Sequence, residues 1–207
     1  MVDQQIRTWE VLDSRVLDVL AEVPREMFVP RAYRDLAFAD TQIPIGCGQN
    51  MLAPKMHGRI LQALNIAAHD RILEIGTGSG YLTACLALLG AQTTSIDIHA
   101  ELSAGAAAAL RSVAGVRPQL QVRDAFGPQP LGEYDVIAVT GSLPVDDRSF
   151  EKSLAVGGRL FEVVGTAPVM EARIVRRVEA DQWIRESLFE TVIDPLLNAP
   201  QAPRFVF

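Results

Sequence analysis

Between Arg71 and Gly165 the chain alternates short apolar runs with helix-length segments, and this rhythm limits its fold more than any other feature. ILEI (72–75), TTSID (93–97), LQVRD (120–124), YDVIAVT (134–140) and GGRLFEVVG (157–165) have the length and composition of strands. Gly80–Leu89, the Ala-rich Glu101–Val113 and a short Asp147–Leu154 read as the helices between them. Strands alternating with helices predict an α/β fold, a doubly wound and mostly parallel sheet covered on both faces. The tail departs from that rhythm. ARIVRRVE (172–179) and WIRESLFE (183–190) show period-two segments around Ala-Asp-Gln, which predicts an antiparallel hairpin at the sheet edge.

Upstream, Asp13 is placed to cap a helix whose apolar stripe is Val16, Leu17, Val19 and Leu20, and Pro24 stops it. Residues 24–54 are dense in Pro, Gly and aromatics, and their apolar side chains need burial, so they read as an ordered, loop-rich cap. A second amphipathic helix fits Lys55–Ile66. The length suits one domain over 1–207, with an N-terminal helical cap and loop at 1–66 and the α/β core at 67–207. At 49% hydrophobic residues there is ample apolar surface for one large core.

Behind the strand ILEI the chain releases glycines at alternate positions, in the pattern E-x-G-x-G-x-G over Glu74, Gly76, Gly78 and Gly80. Such a loop lets a ligand approach the backbone closely. A dinucleotide fingerprint would place its third glycine at 81, which is Tyr81, and a phosphate loop would need a lysine that Ser79-Gly80-Tyr81 lacks. Glu74, expected at the mouth of the crevice, would repel a pyrophosphate but suits a cation. Asp97 ends the next strand, where its two oxygens can accept both hydroxyls of a ribose. A nucleoside with a positive charge and no phosphate fits these residues, and S-adenosylmethionine is such a molecule. Its carboxylate suits the N-terminus of the helix starting near Gly80. Asp124, ending the third strand, is placed to reach the adenine amino group. With Thr77, Ser79, Ile98, Ala125 and Thr140 these residues make up the expected cofactor site.

A net charge of −6 argues against a nucleic-acid partner. No apolar run is long enough to span a bilayer, and the start MVDQQIRTWE has no leader-like apolar core. Cys47 and Cys85 show neither a disulfide framework nor metal-ligand spacing, so a reduced, cytoplasmic setting without a metal is expected. Oligomeric state is not legible in the sequence.

From about Val11 to Val164 the chain resembles the protein-L-isoaspartate O-methyltransferases. EVPREMFVP (22–30) is similar to that family's N-terminal signature, LEIGTGSGY (73–81) to its cofactor loop and GGRLFEVVG to its fifth strand. GQNMLAPKMHG (48–58) falls where the family has its substrate loop, commonly Gly-Gln-Thr-Ile-Ser-Gln-Pro or a variant running Ser-Ala-Pro-His-Met-His-Ala. The resemblance implies methylation of isoaspartyl carboxylates in damaged proteins, with isoaspartyl proteins or peptides as partners. It implies a substrate loop containing Gly46, Gly48, Gln49, Asn50, Pro54 and His57. Two departures bear on substrate. Leu52 stands where the family has the serine associated with catalysis, and Ala125 follows Asp124 where a glycine is usual. A carboxylate with a pKa near 4 is already ionised at neutral pH and needs no general base, so in-line positioning is the main requirement.

Other residues have plainer readings. Ser149-Phe-Glu-Lys152 matches S-x-x-K without its partner motifs and reads as a helix turn. Cys47 reads as inert and Cys85 as core. His57 reads as a helix-surface histidine or a site contact, His99 as packing on the adenine edge, and Arg173, Arg176 and Arg177 as a solvated strand face. Three functions stay open: isoaspartyl methylation, methylation of a different substrate on the same fold, and cofactor binding without catalysis.

Overall fold

A computed structural model describes residues 6–202; the ends of the 1–207 unit, including the first five residues of the segment read as leaderless, lie outside the described residues. Helix α1 (Ser14–Glu22) starts where expected, its Asp13 cap accepting a hydrogen bond from the Arg15 amide at 2.9 Å. The cap then runs through short 3-10 turns at Arg25–Phe28 and Arg31–Leu36. Next comes a two-stranded hairpin of β1 (Ile43–Gly46) and β2 (Gln49–Met51), in a stretch whose sequence reads only as irregular chain. Helix α2 (Pro54–Leu64) succeeds it, with Pro54 in its first turn, where a missing N–H costs nothing.

The core alternates as the sequence predicts: β3 (Arg71–Ile75), α3 (Tyr81–Leu89), β4 (Gln92–Asp97), α4 (Ala100–Leu110), β5 (Gln119–Val122), β6 (Tyr134–Leu143) and β7 (Leu154–Thr166). These strands are parallel, and the hairpin of β8 (Val169–Glu179) and β9 (Gln182–Glu190) adds the antiparallel edge, giving the order β5-β4-β3-β6-β7-β8-β9. The order reverses between β3 and β6, and in such sheets a crevice opens there beyond the strands' carboxyl ends.

Period-two alternation divides the sheet into two buried faces. Ile72, Val136, Ala138, Phe161 and Val163 join the apolar side chains of all four α-helices and of the cap in one cluster. Leu73, Ile75, Ile137, Val139 and Leu160 point the other way. That second face carries no α-helix among the described residues. The expected helix at Asp147–Leu154 is a single 3-10 turn, Phe150–Ser153. Phe126, Leu131, Phe150, Leu196 and Ala199, from loops and the segment after β9, cover this face instead. Apolar burial is what the face requires, and side chains from irregular backbone supply it as well as a helix would.

Candidate active site

Beyond the carboxyl ends of β3, β4, β5 and β6 lies a pocket walled by Gly76–Ser79, Asp97–His99, Arg123–Phe126 and Thr140–Gly141. Glu74, Gly76, Thr77, Gly78, Ser79, Asp97, Ile98, Asp124, Ala125 and Thr140 all line it, as expected. Gly80 does not; it caps α3 just behind the wall. At Gly76 the need for glycine is steric, because φ is +99° and a Cβ would collide with the Thr140 hydroxyl. That hydroxyl lies 2.9 Å from the Ile75 carbonyl and 2.8 Å from the Gly76 carbonyl, so it pins the strand end.

The three acids serve different purposes. Asp97 accepts the Gly78 amide on one oxygen and the His99 amide on the other, both at 2.8 Å. Each oxygen keeps a further lone pair for a ligand. Asp124 accepts the Phe126 amide at 2.9 Å and the Asn198 side-chain amide at 2.8 Å. Glu74 is not at the mouth of the crevice; it is fully buried at its floor. Its Oε2 accepts from Thr83 at 2.5 Å and Ser95 at 2.6 Å, while Oε1 is buried without a partner. Burial pushes this carboxyl up to about 8 against the pull of the two hydroxyls. Thr77 lies 2.6 Å from the Ser95 oxygen, extending the hydroxyl chain to the glycine loop. Sequence reading missed Thr83 and Ser95, although in the parallel register Ser95 stands directly beside Glu74.

The opposite wall is built by the β1–β2 hairpin together with Leu52 and the first turn of α2. Gln49, Asn50, Met51, Leu52 and His57 line the pocket; Gly46, Gly48 and Pro54 do not. The two glycines turn the hairpin tip with Cys47 between them at φ 53°. Cys47 is exposed, and its thiol is pushed upward by desolvation and by Glu101, consistent with an inert group. The Leu52 side chain is 7% exposed and packs into the main apolar cluster, so this position presents carbon to the pocket. His57 corrects the reading of a surface histidine: it is buried, 3% exposed, with its ring edge-on to Tyr81 at 5.0 Å. His99 lines the pocket with a buried, unpartnered Nε2. Cys85 is core, as expected. Arg173 is not solvated; it is buried and paired with Glu162 and Asp146.

A third wall has no counterpart in the motifs read from the sequence. The segment after β9 crosses the second sheet face and brings Asp194, Leu196 and Leu197 to the pocket. Its backbone pairs with β6, Ser142 donating to the Asp194 carbonyl at 2.8 Å and Leu196 donating to the Ser142 carbonyl at 2.9 Å. Asp194 Oδ2 takes both the backbone and the side-chain N–H of Asn50, at 3.0 and 2.9 Å. The only sequence signal is the apolar Val192-Ile193…Leu196-Leu197 beyond the hairpin.

The family model of the protein-L-isoaspartate(D-aspartate) O-methyltransferases matches residues 1–197. This chain belongs to that family. A protein-L-isoaspartate O-methyltransferase 1 of Rhodopseudomonas palustris (strain HaA2) is 38% identical over 203 residues, covering 96% of this chain and 82% of that protein. One from Roseiflexus castenholzii is 39% identical over 201 residues, covering 96% and 90%. Among solved structures, a Plasmodium falciparum chain described as a protein-L-isoaspartate O-methyltransferase, in complex with S-adenosyl-L-homocysteine, superposes with a TM-score of 0.81. It is 18% identical over 94% of this chain and 96% of its own, so the likeness is one of fold.

Proposed function

We propose that this family member is an S-adenosylmethionine-dependent methyltransferase that esterifies the carboxylate of L-isoaspartyl residues in damaged proteins. The observation that carries the reading is the junction of two walls in one pocket. Acids at or within two residues of the carboxyl ends of three successive strands line one side, and the hairpin in the place of the family's substrate loop forms the other. The pocket fits the cofactor: Glu74 Oε1 and His99 Nε2 are buried polar atoms without partners among the described residues, on side chains that line a space where a cationic nucleoside supplies complements. Asp97 would hold the ribose hydroxyls, Asp124 the adenine edge, and Glu74 the positive end. When bound, S-adenosylmethionine supplies the methyl group.

The chain's own part is positioning. Gly78 is fixed by Asp97, and Asn50 by Asp194, so both sides of the acceptor site are held by charge-assisted hydrogen bonds. Well-oriented groups can contribute ~7–11 kcal/mol to a reaction of this kind without a general base. Among the described residues no helix is long and apolar enough to cross a membrane. The two unpaired cysteines suit a reducing compartment such as the cytoplasm.

Leu52 favours a second reading, in which the fold is kept and the acceptor has changed, because its side chain cannot hydrogen-bond a carboxylate. Transfer of a labelled methyl group to an isoaspartyl peptide and to its aspartyl isomer separates the two. Incorporation confined to the isoaspartyl peptide is expected; equal or no incorporation supports the changed acceptor.

A further inference from the structure

Arg25 is fully buried, and its partners among the described residues include two carbonyls and an imidazole but no carboxylate. Its Nε donates to the Ala37 carbonyl and one Nη to the Leu52 carbonyl, both at 2.7 Å, while the other Nη lies 3.1 Å from His57 Nδ1. A guanidinium has only donors, so the imidazole nitrogen facing it has to accept and cannot carry a proton. The neutral ring then holds its proton on Nε2. The one competing acceptor, the Ala53 carbonyl 3.2 Å from Nδ1, already receives the first-turn amides of Met56 at 3.0 Å and His57 at 3.4 Å. The Tyr81 ring fixes the imidazole plane edge-on. His57 lines the pocket together with Leu52.

We propose that Arg25 is a positioning residue that locks His57 in its Nε2–H tautomer, making His57 the N–H donor that orients the acceptor carboxylate in place of the absent serine hydroxyl. The donor role rests on the reading that the acceptor is a carboxylate; the tautomer does not. Burial and the Arg25 charge hold His57 well below the usual histidine range, so it stays neutral. Burial lowers Arg25 only to about 10, so it stays charged at neutral pH. The other titratable groups packed here, Tyr81 and Cys85, are both pushed upward and stay neutral. Unlike a hydroxyl, an Nε2–H that has lost its freedom of tautomer and rotation presents its proton in one direction.

The test uses the full chain with 15N-labelled histidine. Long-range proton–nitrogen correlations, assigned by the signal lost in His57→Gln, should show the neutral Nε2–H form from about pH 5.5 to 8, across the range where a free histidine titrates. An Nδ1–H form, or an imidazolium, overturns the Arg25 lock. Added isoaspartyl peptide should shift the Nε2–H signal; an unmoved signal overturns the donor role whatever the activity. In kinetics, His57→Leu should lower kcat/KM for the peptide about 10- to 150-fold, the range of one hydrogen bond to a charged group. Cofactor affinity should stay within about twofold, and His57→Gln, which keeps an N–H, should recover part of the loss. Equal losses in both variants overturn the donor role. Arg25→Met should release the lock and bring out the Nδ1–H form; if that variant does not fold, the wild-type spectrum decides alone. A wild type that binds the peptide and shifts the Nε2–H signal without methylating it removes the isoaspartyl reading and leaves the lock standing.

Discussion

Replacing Glu74 with glutamine should stabilise the protein, and increasingly so as pH rises. The wild-type carboxyl is fully buried, takes two hydroxyl donors on one oxygen and none on the other, and sits at about 8 against 4.5 for an ordinary glutamate. Its folded value is therefore raised, and between 4.5 and about 8 the folded state binds more proton than the unfolded state. Stability at this site is then fully present below pH 4.5 and is lost as pH rises through about 8. That interval, at ~1.4 kcal/mol for each pH unit, amounts to about 5 kcal/mol, a large part of the ~5–15 kcal/mol that folds a typical domain. Glutamine keeps the acceptor for Thr83 and Ser95 and does not titrate. Urea denaturation of both proteins from acid to alkaline pH is the assay. The difference between variant and wild type should be small near pH 5 and widen by several kcal/mol toward pH 9, most of the span set by this carboxyl. Parallel stability curves would refute the argument, because they would mean Glu74 titrates alike folded and unfolded.

The same carboxyl should lose its proton when a cationic ligand arrives, so S-adenosylmethionine binding at neutral pH should release protons, measurable by calorimetry in buffers of different ionisation enthalpy; Glu74→Gln should abolish the release. Asp97→Ala should weaken cofactor binding by about 2–4 kcal/mol, since hydrogen bonds to a charged group are worth ~1.5–3 kcal/mol each. Unchanged affinity in a folded variant would remove Asp97 from the site. Leu52→Ser should lower stability by ~2–5 kcal/mol because a buried side chain is cut back, and leave the methylation rate nearly unchanged because His57 already fills the orienting role; a gain of about 10- to 150-fold would show that a hydroxyl, not His57, orients the acceptor. Asp194→Ala should loosen the β1–β2 hairpin, seen as faster amide exchange across residues 43–51, while β3 to β7 keep their protection.

The legible parts of this molecule are those set by local pattern. Apolar runs of strand length mark five parallel strands and the terminal hairpin, and acids at or just past the ends of β3, β4 and β5 lead into one pocket because parallel strands share a carboxyl end. The illegible parts depend on contacts across the sequence. Glu74 reads as a mouth carboxylate until Ser95, 21 residues away, and Thr83, 9 away, enclose it. Nothing local to Arg25 shows that Ala37, Leu52 and His57 will converge on it. Arg173 looks solvated from its alternation, yet Asp146 and Glu162 draw it inside. The β1–β2 hairpin is hidden by Pro44 and by left-handed backbone at Gly46, Cys47 and Gly48, which break the alternation that marks a strand. The helix expected before β7 is a single 3-10 turn, and its Phe150, with Phe126, Leu131, Leu196 and Ala199 from distant chain, covers the face that a helix would have covered.

The wall built by Asp194, Leu196 and Leu197, with Asn198 behind it on Asp124, comes from chain that lies beyond β9. Synthesis therefore produces the sheet, the glycine loop and the hairpin before the segment that joins them across the second face. A nascent chain can collapse around its helices early, but Asn50 waits for a partner made 144 residues later and Asp124 for one made 74 residues later. Occupancy by the nucleoside should thus begin only late in translation. Released chains truncated after β9 and after Asn198 should differ sharply in ligand retention while showing the same protease-resistant core.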